Sequence, residues 1–442
     1  MCNTLGIVHT NFQVLSRRHP SGEIMNRTQL NLAAVLVCLA PLLAVGEVAI
    51  PQELRHIDPL KINVNLQLHD VLEKTVVRSP MQAMMQSREL GLNAKNIVAK
   101  SILPAPLAIS LGHQNDGLGS RRGEREWQAD LEVPIWLPNQ RHNRLKVADA
   151  ARSDLSIGSA SLKLQVAGQL RDAVWDIALN DSYYALSVNK YALASKLQRD
   201  VERRYQAGEM AKTDALLAEQ ETLRAEKDKL RAEAEVMHAR NRYFLLTGLR
   251  EIPASYEEVQ SNLDDYRQSP IWIEAESKVS LAEIERNLAQ VESHENPQVL
   301  FNIRSTKGAF DNLSNESVGV KMRIPFGSET RSAPIEAAAE LGVGSALTER
   351  EKLRYAMEMM MHEAEHNLSV SRAELVLLTK QYEIAKESAR LAQKAFQLGE
   401  TDLVSLMRVQ AQTDEAARAF TSRKIQVQWD IARYNQAVGV MP

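Results

Sequence analysis

The chain is short of the residues that several common functions need. Only two cysteines occur among its 442 residues, Cys2 and Cys38, so the rest of the chain offers no disulfide framework and no thiol site. Neither charge is in marked excess. A formal net charge of −3 gives no electrostatic case for nucleic acid as a partner. Aromatic residues are few at 5%, and beyond residue 45 no run is long and apolar enough to cross a bilayer as a helix. Proline is missing from two long stretches, 139–252 and 335–441, so nothing in them forces a helix to break.

Those stretches are crowded with Ala, Leu, Gln, Glu, Lys and Arg, the composition of extended helices packed closely on one another. The segment 139–205 alone is long enough for ~100 Å of helix at ~1.5 Å per residue. Returning helices are expected over 214–246 and 402–438, and others over 71–100 and 271–293. Pro134, Pro138, Pro325 and Pro334 are read as breaks ahead of the long helices. A seam of Leu155, Leu162, Val166, Leu170 and Val174 fits close helix packing. Gly158, Gly168, Gly342 and Gly344 are soft points with no reason visible in the sequence.

One short pattern occurs twice. Tyr205, Gln206, Ala207, Gly208, Glu209 returns 191 residues later as Phe396, Gln397, Leu398, Gly399, Glu400. Gly at the end of a helical run suits the left-handed position that stops a helix. Thr213 with Asp214, and Thr401 with Asp402, are placed to cap the next helix, so each copy reads as the tip of a helical hairpin. The same offset of 191 relates Pro106 to Pro297, Pro134 to Pro325, Tyr191 to Tyr382, Tyr243 to Tyr434 and Gly248 to Gly439. Ser79 and Pro80 recur as Ser269 and Pro270. The chain is therefore two similar halves, 47–250 and 251–442, each with a helix, a β-hairpin (about 106–136 and 297–326) and a long helical hairpin.

Residues 1–46 read as a leader and signal peptide. Arg27 precedes the apolar run 32–45, and Ala44 and Gly46 supply small residues for cleavage. Met25 stands where such a signal normally begins. The mature protein is expected to be exported.

Four segments alternate with period two. In the second, Trp127, Ala129, Leu131 and Val133 point one way, and Gln128, Asp130 and Glu132 the other. Val318, Val320 and Met322 repeat this against Lys321 and Arg323, while Leu107, Ile109, Leu111 and Val299, Phe301, Ile303 form the other two. Strands of ~10 residues are long enough to cross a bilayer when tilted. A membrane sheet must leave no unpaired edge, and single-chain barrels start at about eight strands. Four strands cannot close alone, so the chain must oligomerise.

With these features in register, the chain resembles the TolC-like outer membrane efflux protein family over about residues 60–440. The matching residues are the two Ser-Pro pairs, Val133-Pro134-Ile135, and the tips Tyr205 to Gly208 and Phe396 to Gly399. The resemblance implies a mainly α fold with a small β part: a homotrimer with one twelve-stranded barrel in the outer membrane lipid, continuous with a helical periplasmic tunnel. It implies a passive exit duct, without catalysis or cofactor, that docks on a periplasmic adaptor and works with an inner-membrane transporter of the proton-driven resistance-nodulation-division type. Heavy-metal ions or drugs are the implied cargo. The adaptor-docking and entrance positions would be Tyr205, Gly208, Glu209, Thr213, Asp214, Phe396, Gly399, Glu400, Thr401 and Asp402, and Asp130, Glu132, Lys321 and Arg323 would line the barrel. Some members hold the entrance shut with a Tyr at the position of Phe396 bonded to an Asp at the position of Asp214, and ring it with carboxylates at the positions of Ser405 and Arg408. Phe396 has no hydroxyl to donate. The closed state is therefore expected to be held differently here.

A second motif competes for attention. His362, Glu363, Ala364, Glu365 and His366 match the zincin pattern, and Met357, Met359, Met360 and Met361 run into them with soft donors that suit copper. The match falls mid-helix, without a cleft or an obvious third ligand, and its repeat counterparts include Arg171 and Trp175. A solvated or packed helix face is the favoured reading, with no metal. Two other functions remain open: the outer-membrane component of type I protein secretion, and a periplasmic coiled-coil adaptor or scaffold.

Overall fold

A computed structural model of the chain describes residues 60–326 and 329–442. The expected signal peptide, both cysteines and Met25 lie outside the described residues.

After a short strand β1 (Lys61–Asn63) come α1 (Leu68–Arg78) and α2 (Met81–Lys100). One helix was expected over 71–100. Ser79 interrupts it with φ −57° and ψ 133°, because a residue before proline is pushed out of the helical region. The hairpin β2 (Ala108–Asn115) and β3 (Arg125–Pro134) leads into α3 (Gln140–Gln206), 67 residues long, which returns as α4 (Lys212–Thr247). The second half repeats the order. β4 (Glu251–Pro253) pairs with β1, and a single 3-10 turn precedes α5 (Pro270–Glu292). Next come β5 (Gln298–Lys307), β6 (Asn315–Arg323), α6 (Glu329–Gln397) and α7 (Leu403–Val438). Ser269 and Pro270 serve α5 as cap and first residue, where a proline's missing N–H costs nothing.

Pro334 does not break the chain before α6, as its sequence position suggested; it sits within the helix. As the sixth residue of α6 it withdraws a single N–H from the ladder, and only one turn of helix precedes it to be disturbed. The main apolar core lies where the long helices meet the short elements. Leu162, Val166, Leu170 and Val174 of α3 pack there with Val71 and Leu72 of α1, Tyr243 of α4 and Ala432 of α7. The expected seam is thus the core itself from Leu162 to Val174, while Leu155 is half-buried outside it.

Two of the four soft glycines acquire a reason. A Cβ on Gly158 would lie 2.7 Å from the Arg88 guanidinium, which bridges Asp154 and Glu274 between α2, α3 and α5. On Gly168 it would press the Gln436 amide at 3.1 Å. Gly342 and Gly344 face open space, and nothing in the structure explains them.

Candidate functional site

The ends of the long hairpins are built by backbone first. At the first tip the N–H of Gly208 donates to Tyr205 O (2.9 Å) and that of Glu209 to Arg204 O (2.8 Å). At the second, Gly399 donates to Phe396 O (3.2 Å) and Glu400 to Ala395 O (2.9 Å). Both are Schellman turns, and both need a left-handed residue. Gly208 (φ +79°) and Gly399 (φ +76°) provide it.

The ascending helices start differently. Asp402 caps α7 as expected, its carboxylate accepting the Ser405 N–H at 2.6 Å. The Ser405 hydroxyl, then its N–H, hold the Asp402 carboxyl below the usual carboxylate range. Thr401 lies just outside that cap. In the first half the expected cap moves: α4 starts after Ala211, with no side-chain capping bond. Thr213 and Asp214 fall inside its first turn, where Asp214 still meets the positive end of the helix dipole.

Beneath the turns the two tips share a core that the sequence did not reveal. Phe396 is only 4% exposed, packed with Val201 of α3, Ala218 of α4, and Leu403 and Leu406 of α7. The Arg204 guanidinium lies 5.1 Å from the centre of its ring, a cation–π distance. So Phe396 ties one hairpin to the other. Around this core Tyr205 and Ser405 are half-buried, while Glu209, Glu400 and Arg408 are exposed.

At the opposite end the four strands form one antiparallel sheet in the order β2-β3-β5-β6. Its register gathers polar residues in the middle of one face. Asp130 faces Ser110 on one side and Asn302 on the other, and Asn302 faces Gly319. Glu132 and Lys321 lie in the next row of the same face, with Arg323 beyond them. Asn302 and Gln128 both donate to the Asp130 carboxylate, at 2.6 Å and 2.8–2.9 Å, and Glu126 pairs with Arg304 at 3.0 Å. The other face is apolar and open: Ile109, Leu111, Phe301, Ile303, Val318 and Val320 are all exposed. Among the described residues β2 and β6 each leave an edge unpaired.

No protein-family model matches the chain, and no curated protein matches it. Solved structures do. The outer membrane protein VceC from Vibrio cholerae superposes with a TM-score of 0.67 at 14% identity, covering 85% of this chain and 96% of that one. The fold is that of the TolC-like outer membrane channels. The CmeC channel of Campylobacter jejuni matches with a TM-score of 0.65 at 12% identity, over 84% of this chain and 85% of that one. The open-state MtrE channel of Neisseria gonorrhoeae gives 0.59 at 15%, over 85% and 89%.

Within this TolC-like fold the His/Met cluster lies half-way along α6. His362 and His366 are exposed, with nearly parallel rings 6.2 Å apart. The methionines diverge: Met357 is buried with Tyr266 and Trp272, Met361 is half-buried, and Met359 and Met360 are exposed. Among the described residues no group of three or more His, Cys, Asp or Glu is arranged to hold a metal. If the chain is an export channel, changing both His362 and His366 to Gln should leave export unchanged. Marked metal sensitivity at normal protein levels would assign the pair a metal-handling role instead.

Proposed function

We propose that the chain is one protomer of a trimeric outer-membrane exit duct for efflux. Three copies of the four-stranded sheet would join edge to edge, twelve strands in all, and the hairpins would continue the barrel as a periplasmic tunnel. The observation that carries this reading is the sheet: one face apolar, one polar, both edges open. In a bilayer such edges must be paired, and other copies of the sheet supply the partners.

The helices support the same assembly. Within one protomer α3 packs on α4 and α7, and α7 on α6, so α4 and α6 stand at the two margins. Each margin carries an exposed apolar stripe with a seven-residue repeat: Leu216, Leu223 and Leu230 on α4, and Leu377, Ile384 and Leu391 on α6. A seven-residue repeat is the seam of a coiled coil. Joining α4 of one copy to α6 of the next buries both stripes head to tail, and a ring closes the series. Leu223→Glu or Ile384→Glu places a charge in that seam and should convert the trimer to monomer, read by native mass in detergent. Trimers from both variants would remove the seam from the interface.

In this reading the duct does no chemistry. Its tips meet a periplasmic adaptor, which couples it to an inner-membrane transporter, of the proton-driven resistance-nodulation-division type by resemblance, with heavy-metal ions or drugs as cargo. Asp130, Glu132, Lys321 and Arg323 would then face the barrel lumen, and Ser405 and Arg408 the entrance. Purified protein in a planar bilayer should conduct as a trimer. A monomer with its own closed barrel would overturn the proposal. A susceptibility profile of a deletion strain across metals and drugs identifies the cargo, and loss of protein export alone would favour type I secretion. An adaptor or scaffold has no use for an exposed apolar sheet face, which disfavours that alternative.

A further inference from the structure

The end of the sheet farthest from the helices carries a cationic row that conduction does not explain. The apolar face continues through Leu111, Ala129, Ile303 and Val318. The next row holds His113, Trp127, Ser305 and Glu316, and in it Trp127, 61% exposed, stacks on His113 with ring centroids 4.1 Å apart. In the row beyond, on the same face, Arg125 stands directly opposite Lys307 across the β3–β5 ladder.

Like charges in directly opposed positions destabilise a sheet. Neither cation is in an ion pair among the described residues, and the acid nearest them in register on this face is Glu316, diagonal to Lys307 and opposite Ser305. Glu126 faces the other side and is held by Arg304. In the adjoining loop Asp116 is engaged by the Ser120 hydroxyl and the N–H groups of Arg122 and Gly123, while the Arg121 and Arg122 side chains are exposed.

An apolar band, then a stacked aromatic pair, then unpaired cations follow the sequence of acyl chains, interface and headgroup phosphates in a bilayer. We propose that Arg125 and Lys307, with Arg121 and Arg122 beside them, bind the phosphate groups of an anionic lipid in the outer leaflet. The guanidinium supplies a planar fork for phosphate oxygens, and Lys307 a point charge. The lipid's acyl chains lie along the apolar rows below, which a free phosphate ion would not use. This inference rests on the reading of the sheet as membrane-spanning.

The test uses the full-length protein in a neutral detergent, with thermal unfolding followed in mixed micelles. Lipid A should raise the midpoint, whereas phosphatidylcholine or inorganic phosphate at the same concentration should not. The double variant Arg125→Gln/Lys307→Gln should lose most of the lipid A shift, yet melt no lower than the parent without lipid, because the repulsion is relieved. Lys307→Gln alone should lose part of the shift, and serves if the double variant fails to fold. Equal shifts with lipid A and phosphatidylcholine, a full shift with inorganic phosphate, or a variant that keeps the lipid A shift would each overturn the proposal. Insertion into vesicles separates the two readings. Protein that inserts without a lipid A preference sinks this inference alone, and protein that will not insert sinks the membrane reading with it.

Discussion

Arg171→Ala should leave little folded protein, although Arg171 touches neither the tips nor the sheet. Its side chain is fully buried on α3. It donates to both Glu258 oxygens at 2.7 Å, to Gln436 Oε1 at 2.6 Å and to Val440 O at 2.9 Å. Asn435 donates to the same carboxylate at 3.0 Å and accepts the Ser261 N–H at 2.9 Å, and Gln436 donates to Leu164 O at 2.8 Å. One guanidinium thus fastens the end of α7 and the segment after β4 to the middle of α3. Removing it strands the nearly buried Glu258 carboxylate, and breaking a buried pair from one side costs about 3–5 kcal/mol. That is a large part of the ~5–15 kcal/mol that holds a folded domain together. Arg171→Met combined with Glu258→Met should be milder, since no charge is left without a partner. Denaturant unfolding of the three proteins checks the order. A single-variant loss of under about 1 kcal/mol would show that the network is dispensable.

That network also marks what a sequence conceals. Glu258 and Gln436 lie 87 and 265 residues from Arg171, and no local pattern joins them. The duplication actively misleads, since the counterpart of Arg171 in the second half is His362, an exposed side chain on α6. Local signals fared better. Alternation gave the strands and the face of each, because side chains on a strand leave no third choice. Proline gaps and tip glycines gave the long hairpins to within a few residues of their ends. Errors arose where one residue had two readings. Ser79-Pro80 reads as a landmark of the repeat and is also the break between α1 and α2, and Pro334 reads as a break where α6 accommodates it. Thr213 and Asp214 looked like a cap, yet α4 begins just before them. Phe396 stands out in the sequence for the hydroxyl it lacks, while its role in the structure comes from the ring it packs.

In the proposed trimeric outer-membrane duct, Gly399→Val should abolish export while leaving the trimer in place, and Gly208→Val should act similarly or somewhat less severely. Both glycines hold left-handed backbone angles, at φ +76° and +79°. A β-branched residue adopts them at a cost of order 1–2 kcal/mol. Space is not the obstacle, because a Cβ at either position meets nothing within 4 Å. The strain is therefore confined to the turn, and the shared core of Val201, Ala218, Phe396 and Leu406 beneath it can stay packed. The turn itself would open, displacing the exposed Glu209 and Glu400 that each Schellman bond holds in place. Negative charge at the starts of α4 and α7, from Asp214 and Asp402, would shift with it. If the tips are the surface that a periplasmic adaptor recognises, a small change of shape there is enough to uncouple the duct. Gly399→Ala should be intermediate, since alanine bears the same left-handed strain without a β-branch. Trimer abundance in the outer membrane must be measured beside export. Lost export with normal trimer supports docking at the tips. Trimer lost together with export would reduce the glycines to helix terminators, and normal export from both Val variants would sink the docking assignment.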